Sequence, residues 1–210
     1  MRYPRWRLLL FMAIASVPIY WTYQGATSAL GPDPGKELVD NLGQGALVLL
    51  LASLAMSPLQ KLTSWPGWIA FRRQLGLWSF SYATLHLAAY LYFLLGFDFT
   101  GFTAELIDRP YIAVGAIALM GLSVLAATST RWSMRKLGKR WKKLHRIIYL
   151  VLLVVLLHML WVVRADAGRW ALYATISAVL LVARLPPVEK RLVTLGRGSR
   201  LNKSRNKPLT

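Results

Sequence analysis

The sequence predicts an all-α membrane protein, a bundle of six transmembrane helices with both termini in the cytoplasm. Of its 210 residues, 56% are hydrophobic and only 16% are charged, fewer charges than a soluble domain normally carries. The apolar residues form several continuous runs of about 17–22 residues, the length that crosses a bilayer as a helix. The strands of a membrane β-barrel would instead alternate between apolar and polar residues.

We expect the six helices at about Leu8–Tyr23, Asn41–Leu59, Arg73–Leu95, Tyr111–Thr128, Leu144–Arg164 and Arg169–Leu185, the last two joined by a turn at Ala165–Gly168. The first run follows three arginines, as in a cleaved signal peptide. It ends, however, in an aromatic cluster typical of an interfacial anchor, so we expect this helix to be retained. Residues 1–185 thus form one helical domain, and 186–210 form a mobile, basic cytoplasmic tail.

The basic residues determine the predicted orientation. With alternating helices, all but four of the 26 Lys and Arg residues fall on one side, and seven of the eight acidic residues fall on the other. The positive-inside rule places the basic side, with loops Gln60–Gln74 and Ser129–Lys143, in the cytoplasm. The acidic loops Gln24–Asp40 and Gly96–Pro110 then face outward. The net charge of +18 suits topology and contact with anionic lipids better than nucleic-acid binding.

The candidate cofactor ligands are histidines. Cysteine is absent, which excludes disulfides, iron–sulfur clusters and thiolate-ligated haem. Redox chemistry would therefore need another bound cofactor. His145 and His158 lie on the fifth apolar run, and His86 lies within the third. A histidine inside a transmembrane helix is costly, so it usually faces the bundle interior.

His86 and His158 are predicted to lie at the same depth. His86 follows Arg72 by fourteen positions, and His158 follows His145 by thirteen. At ~1.5 Å per residue, both lie about 20 Å from the cytoplasmic ends of two helices that run in the same direction. Facing imidazoles can fill both axial positions of one haem iron, an arrangement suited to electron transfer. The alternative is a non-redox transporter or scaffold in which the histidines only bond neighbouring helices.

Arg72 and His145 mark a second level nearer the cytoplasm. On an ideal helix, Arg72 lies within about 40° of His86, but His145 lies about 140° from His158. With three histidines, a second bis-histidine haem is impossible, and Arg72 is a poor iron ligand because it stays protonated. Its guanidinium suits a haem propionate, a flavin phosphate or a quinone oxygen. His145 is either an interfacial residue or part of this second site.

The segment LAATSTRWSMRKLGKRWKKLHRIIYL, from Leu125 to Leu150, resembles the signature of the ferric-reductase-like transmembrane family. Its motif residues are Thr128, Ser129, Trp141, Leu144, His145 and Arg146. The family includes NADPH oxidases and metalloreductases, which stack two haems between the helices corresponding to the third and the fifth. The Arg-Arg-x-x-Gly-Leu run at Arg72–Leu77 is similar to that of membrane subunits of periplasmic methionine sulfoxide reductase systems. The resemblance covers about Val39–Leu185.

This resemblance implies a b-type haem whose iron is held by His86 and His158, with His145 as a further haem-site candidate and FMN as a further cofactor. It implies a molybdopterin-containing periplasmic partner that reduces methionine sulfoxide in oxidised proteins, and a location in the bacterial inner membrane. The electrons would come from the quinol pool or a cytosolic flavin reductase.

The chain departs from the oxidases in two ways. Arg72 stands where they carry an inner-haem histidine, which argues against a conventional second haem. The segment after Leu185 is too short for an FAD- and NADPH-binding domain, so the electron donor must be external. A stand-alone metalloreductase is the remaining alternative.

Overall fold

The computed structural model describes residues 3–27, 29–163 and 167–205, with side chains as far as residue 195. In these ranges the chain is helical and contains no strand. The helices are α1 (Pro4–Ala26), α2 (Pro34–Thr63), α3 (Gly67–Ala89), α4 (Phe99–Asp108), α5 (Pro110–Ala127), α6 (Arg131–Leu137), α7 (Lys139–Leu144), α8 (Ile148–Val162), α9 (Ala167–Val182) and α10 (Pro186–Arg205). A π-helical turn, Tyr90–Leu94, extends α3, and a 3-10 turn, His145–Ile147, joins α7 to α8.

Four to six segments could cross a membrane. Pro4–Ala26, Pro34–Thr63, Pro110–Ala127 and Lys139–Val162 are each long and apolar enough. Two more segments meet the same test only together with the helix beyond a sharp bend. The bends are 109° between Gly67–Leu94 and α4, and 81° between α9 and Pro186–Leu195. The all-helical membrane architecture predicted from the sequence is therefore confirmed for the part of the chain that the structure describes.

Helix α2 is the centre of the bundle, because it buries residues on opposite faces. One face packs with α1 and α3 in a cluster that contains Leu42 and Tyr82. The other packs with α5 and α8 around Leu54, which is 1% exposed, and Leu152, which is fully buried. Helix α2 forms a helical hairpin with α3, and its opposite face packs this hairpin against a second one, formed by α5 and α8.

Buried hydroxyl groups fix the register of α3. Ser79 donates to the carbonyl of Ala46 on α2 at 2.8 Å, and Tyr82 donates to the carbonyl of Ile14 on α1 at 2.7 Å. Such bonds between helices stabilise a bundle in an apolar environment, where a hydroxyl has no water to bond. His86 lies one turn beyond Tyr82, so the same register determines its depth.

Several predicted boundaries are wrong. Helix α2 begins at Pro34 rather than Asn41, because Asp33 caps it by accepting from the Lys36 amide at 3.1 Å. The predicted loop Gly96–Pro110 contains α4, whose first turn is capped by the Asp98 carboxylate. The predicted loop Ser129–Lys143 contains α6 and most of α7. The charged segments that the sequence predicted as loops therefore contain short helices.

The basic tail also departs from the prediction. Pro186–Arg205 forms a helix, α10, and its beginning contacts α2. Lys61 and Glu189 form a salt bridge of 2.8 Å between these helices. This ion pair joins the start of α10 to α2, and the mobility of the tail stays a prediction. Of the predicted turn Ala165–Gly168, residues 165 and 166 lie outside the described residues.

Candidate functional site

Two histidines face each other between the two hairpins. His86, on α3, places Nδ1 2.8 Å from the carbonyl oxygen of Val39 on α2. His158, on α8, places Nδ1 2.7 Å from the carbonyl oxygen of Tyr111 on α5. A carbonyl oxygen can only accept, so each Nδ1 carries the proton, and each Nε2 keeps a free lone pair. This is the tautomer in which a histidine binds a metal through Nε2 while a backbone carbonyl orients the ring.

A glycine lies beside each of these rings. A Cβ at Gly43 would lie 3.0 Å from Nδ1 of His86, and one at Gly115 would lie 2.8 Å from Cε1 of His158. Each glycine stands one turn after the residue whose carbonyl accepts the bond. The two hairpins repeat this arrangement, since the accepting residue precedes its histidine by 47 positions in both.

The separation of the rings fits a metal ion between them. The ring centroids of His86 and His158 are 6.3 Å apart, and the ring planes cross at 83°. Two metal–nitrogen bonds of about 2 Å, together with the distance from each nitrogen to its ring centre, span roughly 6 Å. Both Nε2 atoms would be available to the iron of a haem, and its porphyrin would supply the other ligands. The residues present therefore fit a bis-histidine haem.

His145 has the opposite hydrogen-bonding pattern. Its Nε2 lies 3.1 Å from Oγ1 of Thr128, and that hydroxyl donates its single proton to the carbonyl of Val124 at 2.7 Å. The hydroxyl must then accept from His145, so Nε2 carries the proton and Nδ1 the lone pair. Trp141 stacks on the His145 ring at 4.0 Å between centroids and donates from Nε1 to the Thr128 carbonyl at 2.9 Å. The contacts among Thr128, Trp141 and His145 thus connect the end of α5 to α7 and to the 3-10 turn that precedes α8.

Two arginines meet on one turn of α2 at the level of His145. Arg72 donates from Nη1 to Oγ of Ser57 at 3.2 Å. Arg184, just after α9, donates from Nη2 to the carbonyl of Leu54 at 2.5 Å and from Nη1 to the hydroxyl of Tyr149 at 3.0 Å. Its Nε is buried and has no partner among the described residues. Arg72 also interacts electrostatically with both Arg184 and His145.

The structure brings the four predicted site residues together in two pairs. His86 lies near His158, and Arg72 lies near His145. Sequence reasoning missed Gly43, Gly115, Arg184 and Tyr149. In both hairpins the residue whose carbonyl accepts from the histidine precedes that histidine by 47 positions. An alignment of the two hairpins would therefore have placed Gly43 opposite Gly115. Arg184 gave no separate signal, because it looked like one more basic residue at a cytoplasmic helix end.

Comparison with known proteins agrees with this architecture. Residues 42–156 match the family described as "Ferric reductase like transmembrane component". The chain is 39% identical over 186 residues, 88% of its length and 92% of the relative's, to the "Protein-methionine-sulfoxide reductase heme-binding subunit MsrQ" of Yersinia pseudotuberculosis. No solved structure matches the chain. The family match spans more than half of the sequence, with most of α2 and all of α3 and α5, so this chain belongs to the ferric reductase-like transmembrane family.

Proposed function

We propose that this chain is an electron-transfer subunit of the bacterial inner membrane and that it holds one b-type haem between His86 and His158. The observation that carries the proposal is the pair of imidazoles 6.3 Å apart, each with Nδ1 bonded to a backbone carbonyl. The similar MsrQ is named a haem-binding subunit, which supports the same assignment. When bound, a haem supplies reversible one-electron transfer.

The residues of the site determine what kind of haem chemistry it allows. His86 and His158 would occupy both axial positions, so the iron offers no open position to oxygen or to a substrate. The Val39 and Tyr111 carbonyls hold the two rings in one tautomer, which strengthens the imidazoles as ligands. The site therefore suits electron transfer, and reduction of a substrate would take place on a separate protein.

We propose six spans with both termini in the cytoplasm. In this arrangement Gly67–Leu94 and Ala167–Val182 cross the membrane, while α4 and α10 lie beyond the bends at its two surfaces. The excess of Lys and Arg on the α10 side supports this orientation. Electrons would leave at the outer face, near the acidic segment Gln24–Asp40 and α4. The partner there would be a periplasmic, molybdopterin-containing methionine sulfoxide reductase, consistent with the name of the relative.

We further propose that Arg72 and Arg184 bind the cofactor through which electrons enter the protein. Two half-buried guanidinium groups, which bond neutral partners among the described residues, favour an oxyanion between them, because charge-assisted bonds are the strongest they can make. A phosphate of FMN or a haem propionate is such an oxyanion, and a quinone oxygen can accept the same hydrogen bonds as a neutral group. Quinol or a cytosolic flavin reductase would then be the donor. His145 borders the same level and would contact the bound cofactor.

A cofactor inventory of the purified full-length chain tests the proposal. We expect one haem per chain, in the low-spin form. A protein without a Soret band after expression with adequate haem would end this proposal and favour a transporter or scaffold. A topology reporter at Gly101 should be read outside the cytoplasm, and a cytoplasmic signal would reject the six-span orientation.

A further inference from the structure

Gly43 and Gly115 occupy equivalent places in the two hairpins. In an α-helix, the carbonyl of one residue accepts from the amide four residues later. The carbonyl of Val39 therefore points toward Gly43, and that of Tyr111 points toward Gly115. Each carbonyl also accepts from a histidine of the facing helix, at 2.8 Å for His86 and 2.7 Å for His158. The imidazole reaches the carbonyl by crossing the position where a side chain at the glycine would begin.

The space at these glycines is taken by the imidazoles themselves. A Cβ at Gly43 would lie 3.0 Å from Nδ1 and 3.1 Å from Cε1 of His86. A Cβ at Gly115 would lie 2.8 Å from Cε1 and 3.0 Å from Nδ1 of His158. Other glycines on these helices make equally close approaches to side chains that are not histidines, since a Cβ would lie 2.7 Å from Cδ1 of Tyr82 at Gly45 and 2.5 Å from Cγ2 of Val151 at Gly121.

We propose that Gly43 and Gly115 are positioning residues for the two axial ligands. Each glycine lets an imidazole lie against its helix, bond the preceding turn's carbonyl through Nδ1 and keep Nε2 free for the iron. The inference rests on the proposed bis-histidine haem and deepens it by identifying what sets the tautomer. A bond from Nδ1–H to a carbonyl raises the basicity of a metal-binding imidazole, so it stabilises the oxidised metal.

The two substitutions should differ in size. In Gly115→Ala the added methyl would lie below 3.0 Å from the His158 ring, so the ring must shift and its bond to Tyr111 is lost. In Gly43→Ala the contacts are 3.0 and 3.1 Å, so a displacement of a few tenths of an ångström suffices and the bond to Val39 weakens. Loss of such an outer partner typically lowers metal affinity by roughly 10- to 100-fold.

Two further glycines provide matched controls. At Gly76, on α3, the nearest atom to an added Cβ is Oγ of Ser53 at 3.5 Å, an ordinary contact. At Gly121, on the same α5–α8 interface as Gly115, an added Cβ would lie 2.5 Å from Cγ2 of Val151. Gly76→Ala therefore tests the loss of a helical glycine alone, and Gly121→Ala tests a packing conflict that spares the histidines.

The experiment is a redox titration and haem-retention assay on the full-length wild type and the four Gly→Ala variants. We expect the haem potential to rise and haem retention to fall in Gly115→Ala, and less so in Gly43→Ala. Gly76→Ala should match the wild type, and Gly121→Ala should melt earlier without a change in potential. Equal potentials in all five proteins, or equal shifts in Gly121→Ala and Gly115→Ala, would overturn the proposal.

Nitrogen-15 NMR of the histidine rings in haem-free protein separates this inference from the proposed function. The wild type should show the proton on Nδ1 of His86 and His158, and the Gly115→Ala variant should lose that preference at His158. This result would support the positioning role even in a preparation that retains no haem, whereas absence of haem from the wild type counts against the proposed function alone. A proton on Nε2 of both rings in the wild type would reject the positioning role.

Discussion

The two levels of the bundle, outer and inner in the proposed orientation, use the same residue type in opposite tautomers. At the outer level, His86 and His158 donate from Nδ1 to backbone carbonyls and keep Nε2 free. At the inner level, His145 uses Nε2 on the hydroxyl of Thr128. The outer level is also duplicated between two hairpins, whereas the inner level combines one histidine with Arg72 and Arg184. The comparison shows that the acceptor on the facing helix, rather than the histidine itself, decides which nitrogen a metal could reach.

The largest expected effect comes from removing an outer histidine. His86→Ala and His158→Ala should each lose the low-spin haem signal, because a single remaining imidazole leaves one axial position open. Neither change leaves a buried carbonyl without a partner, since Val39 and Tyr111 still accept from the helix. Optical and EPR spectra of the purified variants measure this.

His145→Ala is the matched control for that experiment. It removes the inner histidine and should leave the low-spin spectrum of the outer haem intact. The comparison between the levels breaks down if His145→Ala abolishes that spectrum while His86→Ala preserves it.

The second effect concerns the inner arginines. Lysine cannot reproduce the paired donors of a guanidinium, so Arg72→Lys and Arg184→Lys should each weaken an oxyanion bound there. At about 1.5–3 kcal/mol for a charge-assisted bond, binding should fall roughly 10- to 100-fold. The flavin and haem content per chain measures the loss, and the spectrum of the outer haem should stay unchanged.

Arg73→Lys provides the control, because Arg73 is the exposed neighbour of Arg72. Loss of FMN in the Arg72 and Arg184 variants would identify a flavin phosphate. Loss of a second haem would identify a propionate, and an inventory unchanged in both variants would mean that no cofactor depends on these arginines.

The sequence predicted the outer level more completely than the inner one. Apolar runs and a 1.5 Å rise per residue are enough to match the depths of His86 and His158, because α3 is continuous up to His86 and only the short turn at His145–Ile147 interrupts the helix before His158. The sequence did not reveal Gly43 and Gly115 as positions that the imidazoles pack against. A glycine in a membrane helix has several possible roles, and only the side chains of the facing helix show which role it has.

The inner level depends on local structure that periodicity does not encode. The 3-10 turn at His145–Ile147 interrupts the helix, so an angle of about 140° measured on an ideal helix did not describe where His145 points. Arg184 reaches Leu54 across 130 positions of sequence, and no spacing rule connects such distant residues. Helices α4 and α10 were missed for a simpler reason, because their charged residues are as typical of loops as of polar helices.

A smaller effect should follow from Thr128→Val, which removes the hydroxyl that accepts from His145. Hydrogen bonds between membrane helices contribute about 0.6 kcal/mol on average, so the melting temperature should fall only slightly. The freed Nε2 should change the tautomer of His145, which nitrogen-15 NMR detects. Ser129→Ala is the control, because among the described residues its hydroxyl donates to the carbonyl of Leu125, at 2.7 Å, and not to His145. An unchanged His145 signal in Thr128→Val would contradict the tautomer assigned here.

The smallest effects should come from the ion pairs at the two surfaces. Lys61–Glu189, at 2.8 Å, joins α2 to α10 on the inner side, and Arg109–Glu105, at 3.2 Å, lies within one turn on the outer side. Both members of each pair are at least partly exposed, so water and salt screen the attraction, and each coupling should stay below about 1 kcal/mol. Double-mutant cycles with Lys61→Met, Glu189→Gln, Arg109→Met and Glu105→Gln measure both couplings at low and high salt. We expect the inner pair to couple more strongly, because it holds a separate helix in place, whereas a pair within one turn contributes only about 0.3–0.5 kcal/mol. A larger coupling at the outer pair, or one that resists salt, would show that the outer surface is the more tightly organised of the two.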